Sequence, residues 1–133
     1  MIINIATRGW SPPTVTAQQK GVRVVRGKPF FYTKPEVIAA RDEILYRIKS
    51  FMPNKPIEGN IKMDVAWCFY KKTAKETKYK GTRPDLDNLQ KLLQDCMNGL
   101  LFKDDSQIVQ LTTSKYESNN IEECGLQIFI SEV

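Results

Sequence analysis

From Ile61 to Tyr70 the chain alternates without a break. Ile61, Met63, Val65, Trp67 and Phe69 are apolar, and Lys62, Asp64, Ala66, Cys68 and Tyr70 stand between them. Successive residues of a strand point to opposite faces, so this run predicts a strand buried on one side and wet on the other. The rest of the chain is read around it. Ile2 to Ile5 predicts a short opening strand, ended by Arg8-Gly9-Trp10-Ser11-Pro12-Pro13. Val22-Arg23-Val24-Val25 and Phe30-Phe31-Tyr32 flank Arg26-Gly27-Lys28-Pro29, which predicts a hairpin with a glycine-containing turn. Thr33-Lys34-Pro35-Glu36 resembles a helix entry, and Val37, Ile38, Ala40, Arg41, Ile44, Leu45 and Ile48 follow at helical spacing up to Pro53 and Pro56.

The polar, lysine-rich segment 71–83 predicts a loop. A second helix is expected over 85–98, stopped by Gly99, with Leu86, Leu89, Leu93, Cys96, Met97 and Leu100 on its apolar side. Asp87, Lys91 and Asp95 form a polar stripe away from that side. Residues 108–111 and Leu126, Ile128 and Ile130 predict two closing strands. The order β, hairpin, α, β, α, β, β predicts an α+β fold: a single domain over 1–133, with a mixed or antiparallel sheet of about four to six strands and two main helices.

Several chemistries are excluded at once. Histidine is absent, which removes His-activated nucleophiles, His-liganded zinc and any histidine base. Cys68, Cys96 and Cys124 are odd in number and far apart, which argues against a zinc site or a disulfide framework and fits a reducing, cytoplasmic setting. No apolar run approaches the roughly 20 residues that cross a bilayer, and the first six residues do not resemble a signal peptide.

The formal charge is +5, and its distribution matters more than its size. Residues 1–35 carry Arg8, Lys20, Arg23, Arg26, Lys28 and Lys34 with no acid among them. Lys71, Lys72, Lys75, Lys78, Lys80 and Arg83 face the single Glu76 in 71–83. Between 85 and 105 stand Asp85, Asp87, Asp95, Asp104 and Asp105. Basic segments flanking an acidic one suit a phosphodiester enzyme, with cations on the backbone and carboxylates on a metal. Each feature also has a plainer explanation. Cations on a hairpin protect an exposed edge. Asp85 and Asp87 serve as an N-cap and a helix-dipole contact, worth roughly 1 kcal/mol. Asp104-Asp105 make a polar turn. Lys91 pairs at i, i+4 with Asp87 or Asp95. Spacing alone leaves both sets of readings open.

The stretch Arg83-Pro84-Asp85-Leu86-Asp87-Asn88-Leu89-Gln90-Lys91, then Asp95, Asn98-Gly99 and Lys103-Asp104-Asp105-Ser106-Gln107-Ile108-Val109, resembles the RusA family of Holliday junction resolvases. The likeness runs over about 83–116 and combines D-L-D-N-L-x-K with D-D-x-Q-I-V. The resemblance implies that Asp85, Asp87 and Asp105 are the catalytic, metal-holding acids and that Lys91 is a functional lysine. It implies Mg²⁺ as cofactor, a homodimer of α+β subunits, and nicking of four-way DNA junctions in recombination and repair. Arg23, Arg26, Lys28, Lys71, Lys72, Lys75, Lys78, Lys80 and Arg83 are the expected DNA contacts. Two places depart from the family: Thr14-Val15-Thr16-Ala17 replaces an often polar, Asn- and Arg-containing segment, and Pro84 directly precedes Asp85. The alternatives are a non-catalytic DNA-binding protein and a Mg²⁺ nuclease for other branched DNA.

Overall fold

The alternating run forms the central strand of the sheet. In the computed structural model, which describes residues 1–15 and 20–133, the elements in chain order are β1 (Ile2–Arg8), β2 (Lys20–Val25), β3 (Lys28–Thr33), α1 (Pro35–Ile48), β4 (Ile61–Tyr70), β5 (Lys78–Tyr79), α2 (Leu86–Met97), β6 (Ile108–Ser118) and β7 (Gly125–Glu132). Five strands make one mixed sheet in the order β1-β7-β4-β6-β5, and β2 and β3 make a separate hairpin. β4 runs parallel to β6 and antiparallel to β7. The α+β reading holds. The reading of Thr16 and Ala17 lies outside the described residues.

One face of the sheet is covered and the other is not. Ile61, Met63, Val65, Trp67 and Phe69 are buried with Val37, Ile44, Leu89, Leu93 and Met97 of the two helices, while Lys62 and Asp64 stay exposed. α1 begins with Pro35 in its first turn, and it buries Val37, Ala40, Ile44 and Ile48, residues that recur on one helical face. Ile38 of the same periodic set is exposed.

Three boundaries differ from expectation. β6 continues to Ser118, well past 111, because its polar residues 112–116 are fixed by the ladder with β4, from Asp64↔Thr112 to Cys68↔Tyr116. Hydrophobic alternation is absent there, so the pattern did not show the strand. Within the expected loop, Lys78 and Tyr79 pair with Glu117 and Tyr116 as β5. In α2, Leu92 joins the buried residues, and Leu100, expected among them, is exposed. α2 contacts both the sheet and α1, which widens its apolar arc to take in Leu92. The helix then ends at Asn98, and Gly99 (φ 81°) turns the chain in a backbone conformation that glycine adopts freely, so Leu100 is no longer in helical phase.

Candidate active site

Parallel neighbours cannot be joined by a tight turn, so the chain must travel back between β4 and β6, and α2 is that return. The two acidic pairs therefore occupy its junctions: Asp85 and Asp87 where the chain enters α2, Asp104 and Asp105 where it rejoins the sheet.

At the first junction, Asp85 takes the N-cap position in extended conformation (φ −73°, ψ 141°) and its carbonyl accepts from the Leu89 N–H at 3.1 Å. Its side chain makes no capping hydrogen bond. An aspartate at this position ordinarily accepts from the next turn's backbone. Here the exposed carboxylate is left free of that duty. Asp87, also exposed, accepts from the Asn88 N–H, at 2.9 Å to Oδ1. The entry loop is pinned by Lys115 of β6, whose ammonium donates to the carbonyls of Thr82 (2.7 Å) and Pro84 (2.8 Å).

At the second junction the two aspartates divide their roles. Asp104 caps a short 3₁₀ turn, its carboxylate accepting from the Ser106 N–H at 3.0 Å. Hydrogen bonds from Ser106 hold its carboxyl below the usual carboxylate range. Gln107 closes the box: its Oε1 accepts from the N–H groups of Lys103 (2.8 Å) and Asp104 (3.0 Å). Its Nε2 donates to the carbonyls of Ile57 (2.7 Å) and Gly59 (2.9 Å). Gln107 is thus a structural member of the motif. Asp105 is half-buried and accepts at Oδ2 from the Gln94 side chain at 3.1 Å; Gln94 in turn accepts from Gln90 at 3.0 Å.

Gln94 follows Asp87 by seven residues, nearly two full turns, so both lie on one face of α2 and Asp105 joins the row at its far end. Seven residues span roughly 10 Å of helix axis. Among the described residues, no group of three or more His, Cys, Asp or Glu side chains is gathered closely enough to hold a metal ion. Mg²⁺, however, commonly uses one or two carboxylates, with water and phosphate completing its shell. Uncapped, exposed carboxylates are hard oxygen donors of that kind, and their chemistry fits the ion.

Lys91 lies one turn beyond Asp87 but pairs with Asp95, at 3.2 Å, rather than with Asp87. The other oxygen of Asp95 meets Arg41 of α1 at 3.2 Å, so one carboxylate joins the helices through two cations. Sequence reasoning missed Lys115 and Gln94. Neither stands out by pattern: Lys115 reaches carbonyls more than thirty residues earlier, and Gln94 meets Asp105 only because the chain turns back after α2.

The expected DNA-contacting cations fall into two groups. Lys71 is paired with Glu117 at 3.4 Å, and the Lys80 ammonium bonds Thr82 Oγ1 at 2.9 Å and sits 5.9 Å from the centre of the Phe69 ring. Arg23, Arg26, Lys28, Lys72, Lys75, Lys78 and Arg83 are exposed. All three cysteines are free thiols. Burial pushes Cys68 and Cys96 up to about 12, so neither supplies a thiolate nucleophile near neutral pH.

The family model described as Endodeoxyribonuclease RusA matches residues 11–130. The chain belongs to the RusA family of endodeoxyribonucleases. A protein of Lactococcus phage r1t named "Crossover junction endodeoxyribonuclease rusA" is 39% identical over 126 residues, covering 89% of both chains. An uncharacterized protein of Bacillus subtilis (strain 168), YqaN, is 38% identical over 95 residues, which is 61% of this chain and 63% of that one. No helix among the described residues is long and apolar enough to cross a membrane.

Proposed function

We propose that this endodeoxyribonuclease resolves four-way DNA junctions by paired nicks, acting as a Mg²⁺-dependent homodimer in the cytoplasm during recombination and repair. The observation that carries the assignment of its site is Asp85: an aspartate in the N-cap position whose carboxylate caps nothing. The capping explanation for its presence does not apply, which supports a ligand-binding one. The phage relative's name supplies the substrate class.

Asp85, Asp87 and Asp105 would hold one or two Mg²⁺ ions between them, with Asp104 left to its capping box. When bound, Mg²⁺ polarises a phosphoryl oxygen and lowers the pKa of water at the site. Lys115 keeps the loop before Asp85 in place, and Gln94 orients Asp105. Lys91 would offset charge on the phosphate as it builds. Exposed cations such as Arg83, Lys72 and Lys75 hold flanking phosphates. A four-way junction needs nicks on two opposed strands, and a two-fold dimer offers two related sites.

The test is cleavage of end-labelled four-way, forked and linear DNA of one sequence, with and without Mg²⁺. Paired nicks in the four-way substrate only, and only with Mg²⁺, are expected. Equal cleavage of the fork reassigns the chain to branched DNA in general. Binding without cleavage of any substrate overturns the catalytic reading.

A further inference from the structure

The β2–β3 hairpin is a separate two-stranded sheet, joined by a turn at Arg26 and Gly27 in which both residues have positive φ (52° and 76°). Such a hairpin is marginal alone in water, and every β3 residue before Thr33 is exposed. Its two faces differ. The register pairs Gly21 with Tyr32, Arg23 with Phe30 and Val25 with Lys28, so Arg23, Lys28, Phe30 and Tyr32 share one face. By register, Lys20, Val22, Val24 and Phe31 belong to the other face. On the first face Arg23 stands across the strands from Phe30, and Lys28 precedes Phe30 by two residues, so two cations stand beside two aromatic rings.

The rings there are set for use. Tyr32 lies flat on Gly21, where an added Cβ would come within 2.1 Å of the ring, so glycine is what lets the ring settle on the backbone with its outer side open. Phe30 and Tyr32 remain 52% and 47% exposed. Two residues apart on one strand, they stand roughly 6.6 Å from each other, room for one planar group against each.

We propose that this face is a stacking platform for unpaired DNA bases, such as those at a branch point, with Arg23 and Lys28 holding the adjoining phosphates. Every base has a π-face, and aromatic side chains beside a basic track are the recurrent solution for unpaired strands. Charge decides the occupant. No acidic residue precedes Glu36, so a second copy's hairpin would be repelled where a polyanion is drawn in. The inference rests on the proposed reading only in taking DNA as the ligand; the acidic row of α2 plays no part in it.

Binding is therefore measured without Mg²⁺, by anisotropy at fixed salt, for a four-way junction with two unpaired nucleotides at its crossing and for linear duplex. Phe30→Ala/Tyr32→Ala is expected to weaken the junction roughly tenfold or more and the duplex less than about twofold. Arg23→Gln is expected to weaken both alike and to reduce the salt slope by about one. Photocrosslinking from 5-iodouracil at the unpaired position should map to Phe30 or Tyr32 in the wild type. An unchanged junction affinity, an equal loss on both DNAs, a crosslink elsewhere, or a change of oligomeric state in the double variant overturns the proposal. Loss of Mg²⁺-dependent cleavage in the parent protein sinks the resolvase reading and leaves this one standing.

Discussion

The two acidic pairs at the ends of α2 look alike in sequence and differ in what they do. In Asp104-Asp105, the first carboxylate is consumed by a capping box with Ser106 and Gln107, and only the second faces α2. In Asp85-Leu86-Asp87, the residue placed to cap does not cap, and the other, among the described residues, bonds only the adjacent N–H. A carboxylate engaged by backbone N–H groups is already satisfied. One left without such partners at an exposed helix start is available to a cation. The contrast separates the acids by the hydrogen bonds they lack.

The comparison breaks most sharply at Asp85. Asp85→Asn keeps size and shape and removes the charge. It is expected to reduce Mg²⁺-dependent nicking more than about 100-fold, while junction affinity in EDTA changes less than threefold, because the basic surface is untouched. Normal nicking by this variant would remove Asp85 from the site. Asp105→Asn is expected to show a loss of the same order, and a mild phenotype there would assign Asp105, like Asp104, to the turn.

Much of this contrast was legible from the chain, and the limits have physical causes. The alternation over 61–70 carried the sheet because burial on one face imposes a period of two. The second helix was legible for the same kind of reason. β6 was only half visible: its polar residues are held by ladder partners on β4, and a backbone hydrogen bond leaves no mark on side-chain hydropathy. At the site, the motif named Asp85, Asp87, Asp105 and Gln107 together. It could not say that Gln107 serves Ile57 and Gly59, some fifty residues earlier, or that Lys91 turns to Asp95. Choice of partner is a tertiary fact.

A smaller effect is expected one step back from the acids. Gln94→Ala removes the side chain that donates to Asp105, and, if Asp105 holds the ion as proposed, loss of such an orienting partner costs on the order of tenfold in activity or metal affinity. The expected signature is a raised Mg²⁺ concentration for half-maximal nicking, with junction binding unchanged. A Mg²⁺ requirement identical to wild type would show that Asp105 needs no such support.

The smallest effect separates the capping carboxylate from the others. Asp104→Ala should leave nicking within about twofold, as for a surface change away from the chemistry, and should lower thermal stability in a pH-dependent way. Ser106 hydrogen bonds lower the Asp104 pKa in the folded state, so the unfolded chain takes up its proton first as pH falls. The stabilisation is then fully present above the unfolded carboxylate value, near pH 4, and is lost as pH drops through the folded one. The melting temperatures of wild type and variant should differ at pH 7 and converge in strong acid. A gap that persists unchanged to low pH would mean that the carboxylate is not what caps the turn. A large loss of nicking at neutral pH would erase the division of labour between Asp104 and Asp105.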